Sequence, residues 1–307
     1  MLKNQLFGVE VEMTGITREK AAKIVAEVLG STPSSPDRNC YHTRTIADQA
    51  NRKWKIMRDS SIEPKRNDGT RNDLDEYRVE FVTPPLKYED LELLQNIIRK
   101  LRENGAKSDK SCGIHIHVDG ANHNPLSLRR LINFMTSRQD LIYEALEIGD
   151  RADHWCQKLN SALLIEMKKD KSLSKETAEQ IWYSSANDGY CGGISHEHYN
   201  RTRYHGVNLH SYFSKGTVEF RLFNSTLHAG KIKAYVQFCL AISAWAITSQ
   251  EKIVFRSMAE YTAEKKVTIM RNILTHRLGL YGDEFKTCRL HLMTPLKKAA
   301  GMACRAA

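Results

Sequence analysis

The sequence predicts an α+β fold built on a mixed or antiparallel sheet. Three observations carry that expectation. Short segments with alternating apolar and polar residues recur along the chain, and longer amphipathic segments separate them. Residues 207–212 and 217–223 read as two strands joined by the turn Ser214-Lys215-Gly216, a hairpin. The hairpin argues against a purely parallel, doubly wound sheet. No GxGxxG occurs, and no GxxxxGK followed by Ser or Thr, so neither a Rossmann nor a P-loop nucleotide site is supported.

Taken in order, residues 5–13 alternate as a strand. Thr17 is placed to cap a helix over 18–29 that Gly30 closes. Residues 31–51 are polar and turn-rich and read as a loop. Residues 53–57 and 76–83 read as strands, the second ended by Pro84-Pro85. Over 88–104, Leu91, Leu94, Ile97, Ile98 and Leu101 form one helical stripe before Gly105. A strand follows at 112–119, a long helix at 127–148, and one or two more within 155–182. Residues 184–203 contain Gly and His and are long enough to expect a lid or binding loop. Helices are expected at 231–248 and 259–277, and a basic, extended or frayed tail at 286–307. No repeat or Gly-, Pro- or Ser-rich linker divides the chain, so residues 1–285 read as one domain.

The 307 residues are enough for a substantial core, and 41% hydrophobic with 27% charged content argues against wholesale disorder. Lys and Arg outnumber Asp and Glu by 46 to 36, a net charge of +10 that favours anionic partners without choosing among them. Seven scattered cysteines with no CxxC pair read as reduced thiols in a cytoplasmic protein. The first residues meet charge too early for a signal peptide. The longest apolar run, residues 238–247, is about half a membrane span, so no membrane partner is expected.

The chemistry lies in the polar faces of the strands. Residues two apart in a strand share a face. Glu10 and Glu12 therefore oppose Val9 and Val11, and Glu80 opposes Val79 and Phe81. His115, His117 and Asp119 oppose Ile114, Ile116 and Val118. Asn208 shares a face with His210, and Glu219 with Arg221. On any one strand this pattern ordinarily means a half-buried strand with a solvated face. Solvated faces favour Thr, Lys, Arg, Ser and Gln, however, and these five segments carry mainly metal-ligand types. Glu10 and Glu12, about 7 Å apart, would repel by about 2.4 kcal/mol at an effective dielectric of about 20. Four carboxylates gathered in one hollow require protonation, arginine partners or divalent cations. Carboxylates and imidazoles without thiolates suit Mg²⁺ or Mn²⁺, and the ligand count allows two ions.

FGVEVEM at 7–13, DSSI at 59–62, VEFVTPP at 79–85, CGIHIHVD at 112–119 and YHGVNLHSYFSKGTVEFRLFNST at 204–226 resemble, in that order, the amidoligase family. That family belongs to the glutamine-synthetase-like carboxylate–amine ligases. The resemblance spans roughly residues 5–245 and implies a glutamine synthetase/guanidino kinase catalytic-domain fold, with a curved, largely antiparallel sheet and helices on its outer face. It also implies ATP, Mg²⁺ or Mn²⁺, an acyl-phosphate intermediate, and a carboxylate and an amine as substrates. Glu10, Glu12, Glu80 and Glu219 match metal-binding glutamates. His115 and His117 stand where one histidine binds metal and the other faces substrate or phosphate. Arg221 matches a phosphate-facing arginine, and Asn208 the asparagine preceding it. The chain departs from the family at Asp59-Ser60-Ser61, where Asp-Gly-Ser is common. Thr217 stands where glutamine synthetase has an arginine, so Arg203 or Arg201 is expected to supply that phosphate contact.

Three rivals remain at this stage. A two-metal phosphodiesterase or nuclease would use the same ligands with water as nucleophile, although nucleic acid is not the expected partner. A cupin-like iron oxygenase would use His115, His117 and one glutamate, leaving three glutamates unexplained. An inactive nucleotide-binding module would keep the fold without turnover. Cys191 with His196 and His198 follows no trusted zinc spacing.

Overall fold

The computed structural model describes residues 1–71, 74–170, 172–185, 193–250 and 261–302. In chain order the elements are β1 (Phe7–Met13), α1 (Arg18–Leu29), β2 (Arg44–Ala47), β3 (Lys53–Met57), β4 (Val79–Val82), α2 (Leu91–Glu103), β5 (Gly113–Asp119) and α3 (Pro125–Leu146). They continue with α4 (Arg151–His154), α5 (Ser161–Lys169), α6 (Lys175–Ser185), β6 (Val207–Asn208), α7 (His210–Lys215), β7 (Thr217–Asn224), α8 (Ala229–Thr248), α9 (Ala263–Asn272) and α10 (Lys286–Ala299). The fold is α+β, and among the described residues seven strands form a sheet in the order β2-β3-β4-β1-β5-β7-β6. The pairs β1–β4, β2–β3, β3–β4 and β6–β7 are antiparallel. The chain divides into two compact units.

The sheet-rich unit comprises Leu6–Ile116 and Phe223–Tyr235. Alternation sets its layers. Phe7, Val9, Val11, Val79, Phe81, Trp54 and Ile56 are buried, and Trp54 stacks on Phe81 at 5.9 Å. Helix α1 packs against β2, β3 and α2. Thr17 Oγ1 accepts the Lys20 N–H, and Gly30 takes the left-handed conformation (φ 62°) that ends the helix. All five apolar residues of the expected α2 stripe are buried. One expectation fails here. Residues 31–51 are not wholly loop, because Arg44–Ala47 forms the short edge strand β2, with Ile46 paired to Trp54.

The helix-rich unit comprises Met1–Gln5, His117–Leu222 and Val236–Ala307. Helix α3 starts at a reciprocal cap between Asn124 and Ser127, with Pro125 in its first turn. It packs against α5 and α10. Two expectations fail. The β6–β7 pair is antiparallel, but its connection is helix α7, and Gly216 (φ 79°) is that helix's left-handed cap. His210 therefore leaves the strand face it was expected to share with Asn208. Residues 286–299, expected to be extended or frayed, form α10 and bury Cys288, Leu292, Met293 and Leu296. Of the expected lid at 184–203, residues 186–192, including Cys191, lie outside the described residues. The remainder is the end of α6, an irregular stretch, and a 3₁₀ turn at Arg201–Tyr204. Among the described residues, no helix is long and apolar enough to cross a membrane.

Candidate metal and phosphate sites

The sheet-rich unit gathers four of the residues singled out by alternation. Because Val9 and Val11 occupy the core face of β1, Glu10 and Glu12 turn to the other face. Antiparallel pairing places Glu12 directly opposite Glu80 on β4. From β5, Ile114 and Ile116 are buried and His115 takes the opposite face. Glu12, Glu80 and His115 are 5%, 8% and 5% exposed, so these are not ordinary solvated strand positions. Each offers a ligand atom within 4.8 Å of the others.

Hydrogen bonds hold this group in place. The Gly113 N–H donates to Glu12 Oε2 at 2.5 Å, and Ser225 Oγ donates to the Glu12 carbonyl at 2.6 Å. His115 Nδ1 lies 2.9 Å from Glu10 Oε2, and its Nε2 lies 3.8 Å from Glu12 Oε1. An imidazole whose Nδ1–H is taken by a carboxylate presents Nε2 as its lone-pair nitrogen. Two buried carboxylates with that nitrogen form a hard, thiolate-free donor set. Such a set fits Mg²⁺ or Mn²⁺ better than a soft metal.

The helix-rich unit gathers a second group. The β6–β7 register sets Asn208 opposite Glu219. Asn208 Nδ2 donates to Glu219 Oε2, and Arg221 Nη1 donates to Glu219 Oε1, both at 2.6 Å. His117 Nε2 lies 3.9 Å from Glu219 Oε1. Glu219, Arg221 and Asn208 are all buried. Such a buried ion pair is costly to desolvate, and breaking it from one side strands the other charge.

Arg203 is placed differently from Arg221. Its guanidinium lies 5.6 Å from the Tyr199 ring and 5.7 Å from the Tyr204 ring, and its Nη1 donates to the His198 carbonyl at 2.7 Å. Arg221 also approaches Tyr204, at 5.8 Å, and its Nε reaches the Trp155 carbonyl at 3.5 Å. His210 lies in α7 rather than on a strand, with Nδ1 2.7 Å from the Tyr183 hydroxyl. Burial pushes its pKa down to about 4. Lys65 forms an ion pair with Asp109; burial raises the Asp109 carboxyl, but the bonds from Lys65 and Ser111 outweigh it and hold that carboxyl below the usual range.

Sequence reasoning did not single out Ser211 or assign Thr217 a role. Thr217 Oγ1 lies 2.9 Å from His117 Nδ1 and 2.9 Å from Ser211 Oγ, so a hydroxyl pair holds that imidazole. The available signal was Thr217 itself, a hydroxyl two residues before Glu219 on the same face of β7. Tyr204 and Trp155, edge-to-face at 5.6 Å, were also missed, because an aromatic beside an arginine is visible only once the chain folds.

The family model described as "Putative amidoligase enzyme" matches residues 3–243. None of the curated proteins matches the chain.

Proposed function

The chain belongs to the amidoligase family, and on that premise we propose that it is an ATP-dependent carboxylate–amine ligase. In this reading it works through an acyl phosphate with two divalent cations, on the curved sheet of a glutamine-synthetase-like catalytic domain. The observation that carries the reading is the buried Glu12, Glu80 and His115 group, whose donor atoms lie within 4.8 Å of one another. Glu12, Glu80 and His115 would hold one cation, with Glu10 fixing the imidazole. Glu219 with His117 would hold the second, and Asn208 would orient Glu219. When bound, the cations supply charge neutralisation at the nucleotide phosphates.

Arg221 and Arg203 are assigned to phosphate oxygens, where a guanidinium offers paired donors in a fixed geometry. A substrate carboxylate oxygen attacks the γ-phosphorus of ATP and ADP leaves. The amine then attacks the acyl carbon, phosphate leaves with the bonding electron pair, and the amine proton passes to a nearby carboxylate. Because phosphate carries the activation, no nucleophilic serine or cysteine is needed. The same steps serve a carboxylate borne by a small molecule, a peptide or a protein side chain.

The test is ADP formation from Mg-ATP across panels of carboxylates and amines. The proposal expects ADP release that rises only when a matching carboxylate and amine are both present. Cleavage of nucleic acid with Mn²⁺ and no ATP would instead support the two-metal hydrolase. ATP binding without ADP release on any pair would support the inactive module.

A further inference from the structure

The residues beyond the family match contain a cavity of their own. Helix α9 does not end at Asn272 in a simple cap but continues as a π-helical turn, Ile273–Arg277. Such turns are rare and concentrate at functional sites. Leu274 from that turn and Leu290 and Met293 from α10 line a cavity of about 240 Å³, together with Arg271, Arg289 and Lys297.

The cavity wall is braced. Arg289 Nη1 donates to the carbonyls of Leu280 and Gly282, both at 2.9 Å. The Leu280 N–H donates to the Leu274 carbonyl at 2.8 Å. The loop between α9 and α10 is thereby tied to both helices. Among the described residues lining the cavity, three carry positive charge and none carries a carboxylate. Lys297 is only 9% exposed. A lining that joins apolar side chains to cations, with no carboxylate among the described residues, is complementary to a ligand with an apolar body and an anionic head.

We propose that this cavity binds a small soluble monocarboxylate carrying a short alkyl or aryl body. The inference stands apart from the ligase reading, since every lining residue lies outside residues 3–243.

The test is calorimetric titration of the full chain with sodium octanoate, with octylammonium (same body, opposite charge) and acetate (same head, no body) as controls. One octanoate should bind per chain, at least about tenfold more tightly than either control. Leu290→Glu places a carboxylate on the wall and should weaken octanoate by about tenfold or more, whereas the exposed Arg271→Gln should weaken it by about three- to fivefold. Circular dichroism checks that each variant folds, and Arg271→Gln carries the test alone if Leu290→Glu does not. Equal affinity for octylammonium, octanoate affinity unchanged in Arg271→Gln, or no saturable octanoate binding would overturn the proposal. Co-sedimentation with phosphatidylglycerol vesicles in place of octanoate binding would overturn the assignment to a soluble ligand.

Discussion

Glu219 accepts from Asn208 on one carboxylate oxygen and from Arg221 on the other, so two buried polar groups depend on one side chain. Glu219→Gln keeps the shape and removes the charge. It is expected to abolish ATP turnover while circular dichroism stays unchanged; turnover within a factor of about two of the parent would contradict the assignment. Asn208→Ala leaves the carboxylate but releases its orientation, and the expected loss of turnover is smaller, about 10- to 100-fold. Gly206 illustrates a different constraint. A Cβ there would lie 2.3 Å from the Tyr143 hydroxyl and 2.5 Å from Leu222. Both Gly206 backbone groups are in use, its N–H donating to Gln157 and its carbonyl accepting from Arg221. Gly206→Ala should therefore cost about 1–3 kcal/mol in urea denaturation.

Elements with one buried face were legible, and elements defined by context were not. Strand β1 and helix α2 follow directly from periods of two and of 3.6, because each buries one face. Strand β2 escaped because it is short and Ile46 is its only fully buried residue. Around 207–216, alternation followed by Ser-Lys-Gly imitates a hairpin. The backbone instead turns into a helix at His210, since Gly216 supplies a helix cap as readily as a turn. The C-terminal residues were misjudged because their basic content masks a helical stripe of Cys288, Leu292, Met293 and Leu296, with Pro295 inside it. That packing is testable. Leu292 is fully buried, so Leu292→Ala is expected to cost about 2–5 kcal/mol by denaturant titration. A frayed tail would show a change below about 0.5 kcal/mol.

Across the whole molecule, buried histidines link stability to pH. His123 Nδ1 lies 3.0 Å from Ser127 Oγ and its Nε2 2.9 Å from Ser243 Oγ, and Ser243 in turn donates to Gln5 at 2.5 Å. Burial pushes the His123 pKa from 6.5 down to about 4, with Arg130 adding to the shift and Asp119 opposing it. The unfolded chain therefore binds a proton below about pH 6.5 that the native state refuses until about pH 4. Native stability is fully present above pH 6.5 and should fall through that window, by at most about 1.4 kcal/mol per pH unit for each such histidine. Melting temperatures measured from pH 7 to 4 should show less of this decline in His123→Gln. The candidate sites were legible for a similar reason to the strands. Glutamates and histidines alternating with valine and isoleucine declare their face, whereas the hydroxyls of Ser211 and Thr217 gain meaning only from a partner far away in sequence. The ligase reading stands on a divalent cation held by Glu12, Glu80 and His115. Electron paramagnetic resonance titration with Mn²⁺ reads that binding without any substrate. The expected result is saturable binding that weakens about 100-fold or more in both Glu12→Gln and Glu80→Gln with the fold retained. Mn²⁺ binding unchanged in both variants would contradict it.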